Sequence, residues 1–93
     1  MTEIFLDGLE IETIADVHAL FSQTLELPSC YGKNLDALFD CLTEISQNTV
    51  IQLRHPSLLE LKLGQRGRAL TALLRRAEEE NPHIALVEEK ELF

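Results

Sequence analysis

The stretch Thr49 to Val87, TVIQLRHPSLLELKLGQRGRALTALLRRAEEENPHIALV, decides the fold class. TVIQL, residues 49–53, is apolar and β-branched and reads as a buried strand. Pro56 ends it, and SLLELKL reads as a short helix capped by Ser57. Farther on, Leu70, Leu73, Leu74 and Ala77 recur at helical spacing and form one apolar stripe of a long helix. Asn81-Pro82 stops that helix, and HIALV is a further strand. Strands separated by helical segments favour a parallel sheet covered by helices.

Working outward to the N-terminus gives the same pattern. EIFLDG is a short apolar run closed by Asp7-Gly8, a turn dipeptide, and reads as a first strand. Ile14, Val17, Leu20, Phe21 and Leu25 then recur with helical spacing, with Thr13 placed to cap and Asp16 three residues on. Pro28 limits that helix, and SCYGK is a loop in which Gly32 allows an unusual backbone conformation. Asn34 or Lys33 begins a second helix, Asn34 being the better cap because its side-chain oxygen accepts an amide proton. The expected class is α/β, one domain over residues 1–93, with a three-stranded parallel sheet packed with three to four helices.

The 93 residues leave room for one modest core. A hydrophobic fraction of 45% argues against disorder. No apolar run approaches the roughly 20 residues that span a bilayer. MTEIFLDG begins with an acid and is no signal peptide, so a cytoplasmic chain without membrane contact is expected. Cys30 and Cys41 fall in no disulfide framework or zinc spacing and are read as thiols.

Net charge is −8 and unevenly spread. Residues 1–53 hold nine acids and one base, Lys33, whereas residues 54–93 hold seven of each. Such asymmetry repels nucleic acid and attracts a basic protein.

The second helix concentrates the oddity. Leu35, Leu38 and Leu42 form its core face, with Cys41 alongside, while Asp36, Asp40 and Thr43 form a separate polar stripe with Phe39 at its edge. A like-charged i,i+4 pair costs roughly 0.2–0.5 kcal/mol. Asp36 gains from the helix N-terminus, but Asp40 lies too far along to do so. In the long helix Glu78, Glu79 and Glu80 crowd the C-terminal turn, with Arg75 and Arg76 in reach to pair with them.

LELPSCYGKNLDALFDCLTE, Leu25 to Glu44, strongly resembles the second-helix motif of the barstar family of ribonuclease inhibitors. A weaker resemblance runs over the whole chain, through the opening strand, VHAL, LLRRAEEE and the last apolar strand. It implies a bacterial immunity protein that blocks the active site of a small secreted ribonuclease. The residue matching Asp40 takes the place of a substrate phosphate, and Asp36 matches a second interfacial acid. Tyr31, Gly32, Asn34, Phe39 and Thr43 match further contact or helix-opening positions. Lys33 and Arg76 stand where the family has acids, Cys30 stands where it has an aromatic, and Phe39 replaces a larger ring. Glu80 keeps an acidic position. No cofactor is implied, and the chain is read as a monomer when unbound.

Two other readings compete. Neighbouring carboxylates serve as acid–base pairs in enzymes, but Asp36 and Asp40 share one exposed helix face. No nucleophile constellation lies near them in sequence: His18 is expected on a helix surface, and His55 and His83 flank strands. Asp36, Asp40 and Glu44 alone make a poor metal site. The stronger competitor is an acidic adaptor of the same fold that binds a basic protein other than a ribonuclease.

Overall fold

Burial alternates along the strands, and this alternation organises the molecule. The computed structural model describes residues 1–27 and 32–89. Its elements run β1 (Thr2–Asp7), α1 (Ile14–Leu25), α2 (Leu35–Glu44), β2 (Thr49–Arg54), α3 (Pro56–Leu63), α4 (Gln65–Glu80) and β3 (Ile84–Glu88). The strands lie in the order β1-β2-β3, all parallel, and Ile4, Ile51 and Leu86 share one row across the sheet. The α/β class with three parallel strands and four helices is therefore the observed architecture.

Ile4, Leu6, Ile51, Leu53 and Ile84 point into the core, where they meet Val17, Phe21, Leu38, Leu42, Leu59, Leu70 and Leu74. On the other face Phe5 and Val87 are exposed, while Val50 and Gln52 are half-buried. Parallel sheets are usually covered on both faces, and their strands then read as continuous apolar runs. Here β2 buries only alternate residues, so Thr49 to Leu53 is less enclosed than its composition suggests.

The helix ends show local chemistry at work. Thr13 and Asp16 form a full capping box: Thr13 Oγ1 accepts from Asp16 N at 3.3 Å and Asp16 Oδ2 accepts from Thr13 N at 3.0 Å. Thr13→Ala is expected to cost about 1 kcal/mol, because an amide at the helix start loses its acceptor. A thermal melt should show a fall of roughly 4–8 °C, restored by Thr13→Ser.

The start of α3 departs from expectation. Its cap is His55, in the left-handed region at φ 50°, and Pro56 is its first residue, so Ser57 lies inside the helix and does not cap it. Proline suits that position because its ring presets a helical φ and the missing N–H would lack an intrahelical acceptor anyway. His55 is held by its backbone N–H to Glu89 Oε2 at 2.8 Å and by Nδ1 against Asp7 Oδ1 at 2.8 Å. Gly8 is needed beside it, since a Cβ there would lie 2.4 Å from the His55 carbonyl oxygen.

His18 is buried, at 5% exposure, and does not lie on the helix surface as its position in VHAL suggests. Burial, and secondarily the charge of Lys33, hold its imidazole below the usual histidine pKa. The unfolded chain therefore takes up this proton first, so stability falls as pH drops through the ordinary histidine range toward the lower folded value. Urea denaturation from about pH 7.5 to 5 should show that slope, and His18→Gln should flatten it. A separate loss is expected at lower pH. Asp7 is held down chiefly by the Leu9 amide, Asp16 by the Glu12 and Thr13 amides, and Glu88 by Arg75. Their stabilisation is present above the normal carboxylate range and disappears as they protonate in the fold.

Candidate partner-binding site

The α2 helix is placed from both ends. At its start, Asn34 is extended at φ −132° and its Oδ1 accepts from Ala37 N at 2.8 Å, as the sequence suggests for a cap. Lys33, just before it, takes the left-handed conformation at φ 52°. At its far end, the buried Asn81 side chain donates from Nδ2 to the carbonyls of Leu42 at 2.8 Å and Ile45 at 2.9 Å. Those carbonyls close α2, where a helix leaves its acceptors without intrahelical donors. Asn81 Oδ1 also accepts from His83 N at 2.9 Å, so one side chain joins α2, the end of α4 and the approach to β3.

With α2 held this way, Leu38 and Leu42 enter the core and Asp36 and Asp40 face outward. Neither aspartate carboxylate makes a hydrogen bond or ion pair among the described residues. Helix α4 packs beside α2, leaving a groove of about 560 Å³ between them. Leu35, Asp36, Phe39 and Asp40 form one wall, and Ala69, Ala72, Leu73 and Arg76 form the other. The small side chains of Ala69 and Ala72 keep this groove open.

Arg76 crosses the groove and sets its guanidinium 4.6 Å from the Phe39 ring centroid. Such stacking contributes about 0.5–1 kcal/mol at an exposed site. It replaces the expected pairing of Arg76 with the glutamates at the end of α4. Arg75 does not pair with them either: it makes a two-pronged contact with Glu88 of β3, at 2.7 and 3.2 Å. Glu78 accepts from the Leu86 amide at 2.7 Å.

The remaining candidates are less closely gathered. Thr43 is half-buried, and its Oγ1 donates to the Asp40 carbonyl at 2.9 Å. Glu44 and Glu80 are exposed and lie outside the groove lining. Gly32 accepts a long bond, 3.5 Å, from Asn34 Nδ2. Tyr31 and Cys30 lie outside the described residues, whereas Cys41 is a half-buried thiol packed against the core. Among the described residues no helix is long and apolar enough to cross a membrane. None of their His, Cys, Asp and Glu side chains forms a group of three placed to hold a metal ion.

A family model described as barstar (barnase inhibitor) matches residues 1–91. The chain belongs to the barstar family. A 43-residue stretch is also 46% identical to the "Putative ribonuclease inhibitor YrdF" of Bacillus subtilis (strain 168). That match covers 46% of this chain and 47% of the relative, so about half of each is aligned. In this barstar-family chain, Arg76 is the groove residue that helical spacing paired with the α4 glutamates, while the family resemblance set it where an acid contacts the enzyme. Its signal was Ala69, Ala72 and Arg76 at i, i+3 and i+7, a second face beside the leucine stripe.

Proposed function

We propose that the α2 face plugs the active site of a small basic ribonuclease, with the Asp40 carboxylate occupying the place of a substrate phosphate. The observation that carries this reading is the pair of exposed carboxylates, Asp36 and Asp40, beside Phe39 on a groove and without a hydrogen-bond or ion-pair partner among the described residues. A ribonuclease must bind a polyanion, so its active site is rich in positive charge. A carboxylate satisfies such a site with short, charge-assisted hydrogen bonds. Membership of the barstar family supports the ribonuclease as partner.

In this reading Asp40 is the central anion and Asp36 the second. Phe39 gives the partner an aromatic surface, with Arg76 already stacked on its ring. Gly32 and Asn34 border the approach, Tyr31 is carried as a contact through the family resemblance alone, and Thr43 and Glu80 make polar contacts at the rim. The acidic half of the chain speeds encounter with a basic partner, so raising salt should slow association more than it speeds dissociation.

The test is capture from the lysate of the source cell on the immobilised chain, followed by a ribonuclease assay on what is retained. Recovery of a basic ribonuclease that is inhibited by the chain, with retention lost in Asp40→Ala, supports the proposal. Retention unaffected by Asp36→Ala and Asp40→Ala moves the interface elsewhere. Capture of a basic protein without nuclease activity, dependent on Asp40, favours the adaptor reading.

A further inference from the structure

A second feature carries the opposite sign. Two adjoining cavities of about 200 and 220 Å³ lie where α1 meets the start of α2 and the first turn of α4. They share Ile14, His18 and Lys33, and the second is closed by Asn34, Leu35 and Arg66. Among the described residues no carboxylate lines either one, although the chain has 16 Asp and Glu against 8 Lys and Arg. Neither Lys33 nor Arg66 makes an ion pair or hydrogen bond among the described residues.

Both cations are also badly placed by local electrostatics. Lys33 directly precedes the cap of α2, and Arg66 lies in the first turn of α4, which holds no acid. Helix N-termini carry partial positive charge and disfavour cations. The Lys33 ammonium also lowers the His18 pKa, so its field reaches the buried ring. An anion between these groups would relieve all of these repulsions together.

We propose that the paired cavity binds a phosphate-type oxyanion, supplied as inorganic phosphate or as the phosphate monoester of a nucleotide. Lys33 provides a compact point charge and Arg66 a planar fork that matches two phosphate oxygens. Ile14 and Leu35 supply the half-buried apolar part of the lining. The second cavity adjoins the α2–α4 groove, because Leu35 lines both and Asn34 belongs to the proposed partner face, but its two cations, Lys33 and Arg66, do not line the groove.

The test is a titration of the full isotope-labelled chain, with ionic strength held constant by sodium chloride. The Lys33 amide and the His18 ring are followed by NMR. Inorganic phosphate should give saturable shifts at both, and the His18 ring should titrate at higher pH in its presence. Lys33→Gln and Arg66→Gln should each weaken binding roughly tenfold, since each removes one charged hydrogen-bond donor. The melting temperature without phosphate should stay level or rise slightly, as a cation leaves a helix N-terminus. Tighter binding of adenosine monophosphate identifies the ester as the ligand form, and equal or weaker binding identifies the free anion. Shifts that never saturate and match those of chloride would overturn the proposal. So would saturable binding that survives either variant undiminished.

Discussion

Asp40→Ala is expected to weaken binding to the proposed ribonuclease partner by about 2–5 kcal/mol, a general range to which members of this family have themselves contributed. Most of that loss comes from the partner. Its cations would remain buried in the interface with no anion to satisfy them, which costs more than the pair itself contributes. The chain's own stability should not suffer. The Asp40 carboxylate holds no hydrogen bond or ion pair among the described residues, and alanine is the better helix former. The melting temperature should therefore stay level or rise slightly, through relief of the Asp36–Asp40 repulsion. Calorimetric titration and a thermal melt of the same variant check the two halves of this prediction. A large fall in melting temperature would make Asp40 a structural residue and remove the basis for reading its binding loss as an interface effect.

Asn81→Ala is expected to produce the largest loss of stability, about 2–4 kcal/mol, by leaving the buried Leu42 carbonyl, the part-buried Ile45 carbonyl and the His83 amide without their partners. For a chain of this size that corresponds to a fall in melting temperature on the order of 10–20 °C. Asn81→Asp distinguishes hydrogen bonding from shape. It is nearly isosteric, yet it replaces the Nδ2 donor with an oxygen facing the carbonyls of Leu42 and Ile45, so it should be as damaging as alanine. If aspartate is tolerated, the side chain matters only for its volume. Because these bonds close α2, the surviving folded fraction should also bind its partner more weakly, through a less rigid Asp40.

What was legible in the sequence follows from how local each cause is. The apolar runs of the strands, the leucine stripes, the Thr13–Asp16 box and the Asn34 cap all act within a few residues and appear where expected, although β2 buries only alternate residues. What was missed at Arg76, Asn81 and His18 has one origin, tertiary contacts that local spacing does not show, whereas Ser57 gave way to a local cause, Pro56 at the first position of α3. Arg76 had glutamates within helical reach, worth only about 0.2–0.5 kcal/mol per pair, and instead stacks on Phe39 of another helix. Asn81 reads as a helix stop, which it is, but its bonds to α2 depend on an adjacency that no spacing reveals. His18 falls beside the apolar stripe of α1 and is buried, and Lys33, just before α2, lines the same cavity. The polar stripe of α2 was visible as a small electrostatic conflict, and its resemblance to the barstar motif supplied the reason that local energetics lacked.

The most direct test of the central claim is steady-state inhibition of the captured ribonuclease by the full chain, with RNA as the varied substrate. If Asp40 takes the place of a substrate phosphate, inhibition is competitive: the apparent KM rises with chain concentration, kcat is unchanged, and Asp40→Ala removes the effect. A fall in kcat at constant KM, or competitive inhibition of undiminished strength by Asp40→Ala, would contradict the account.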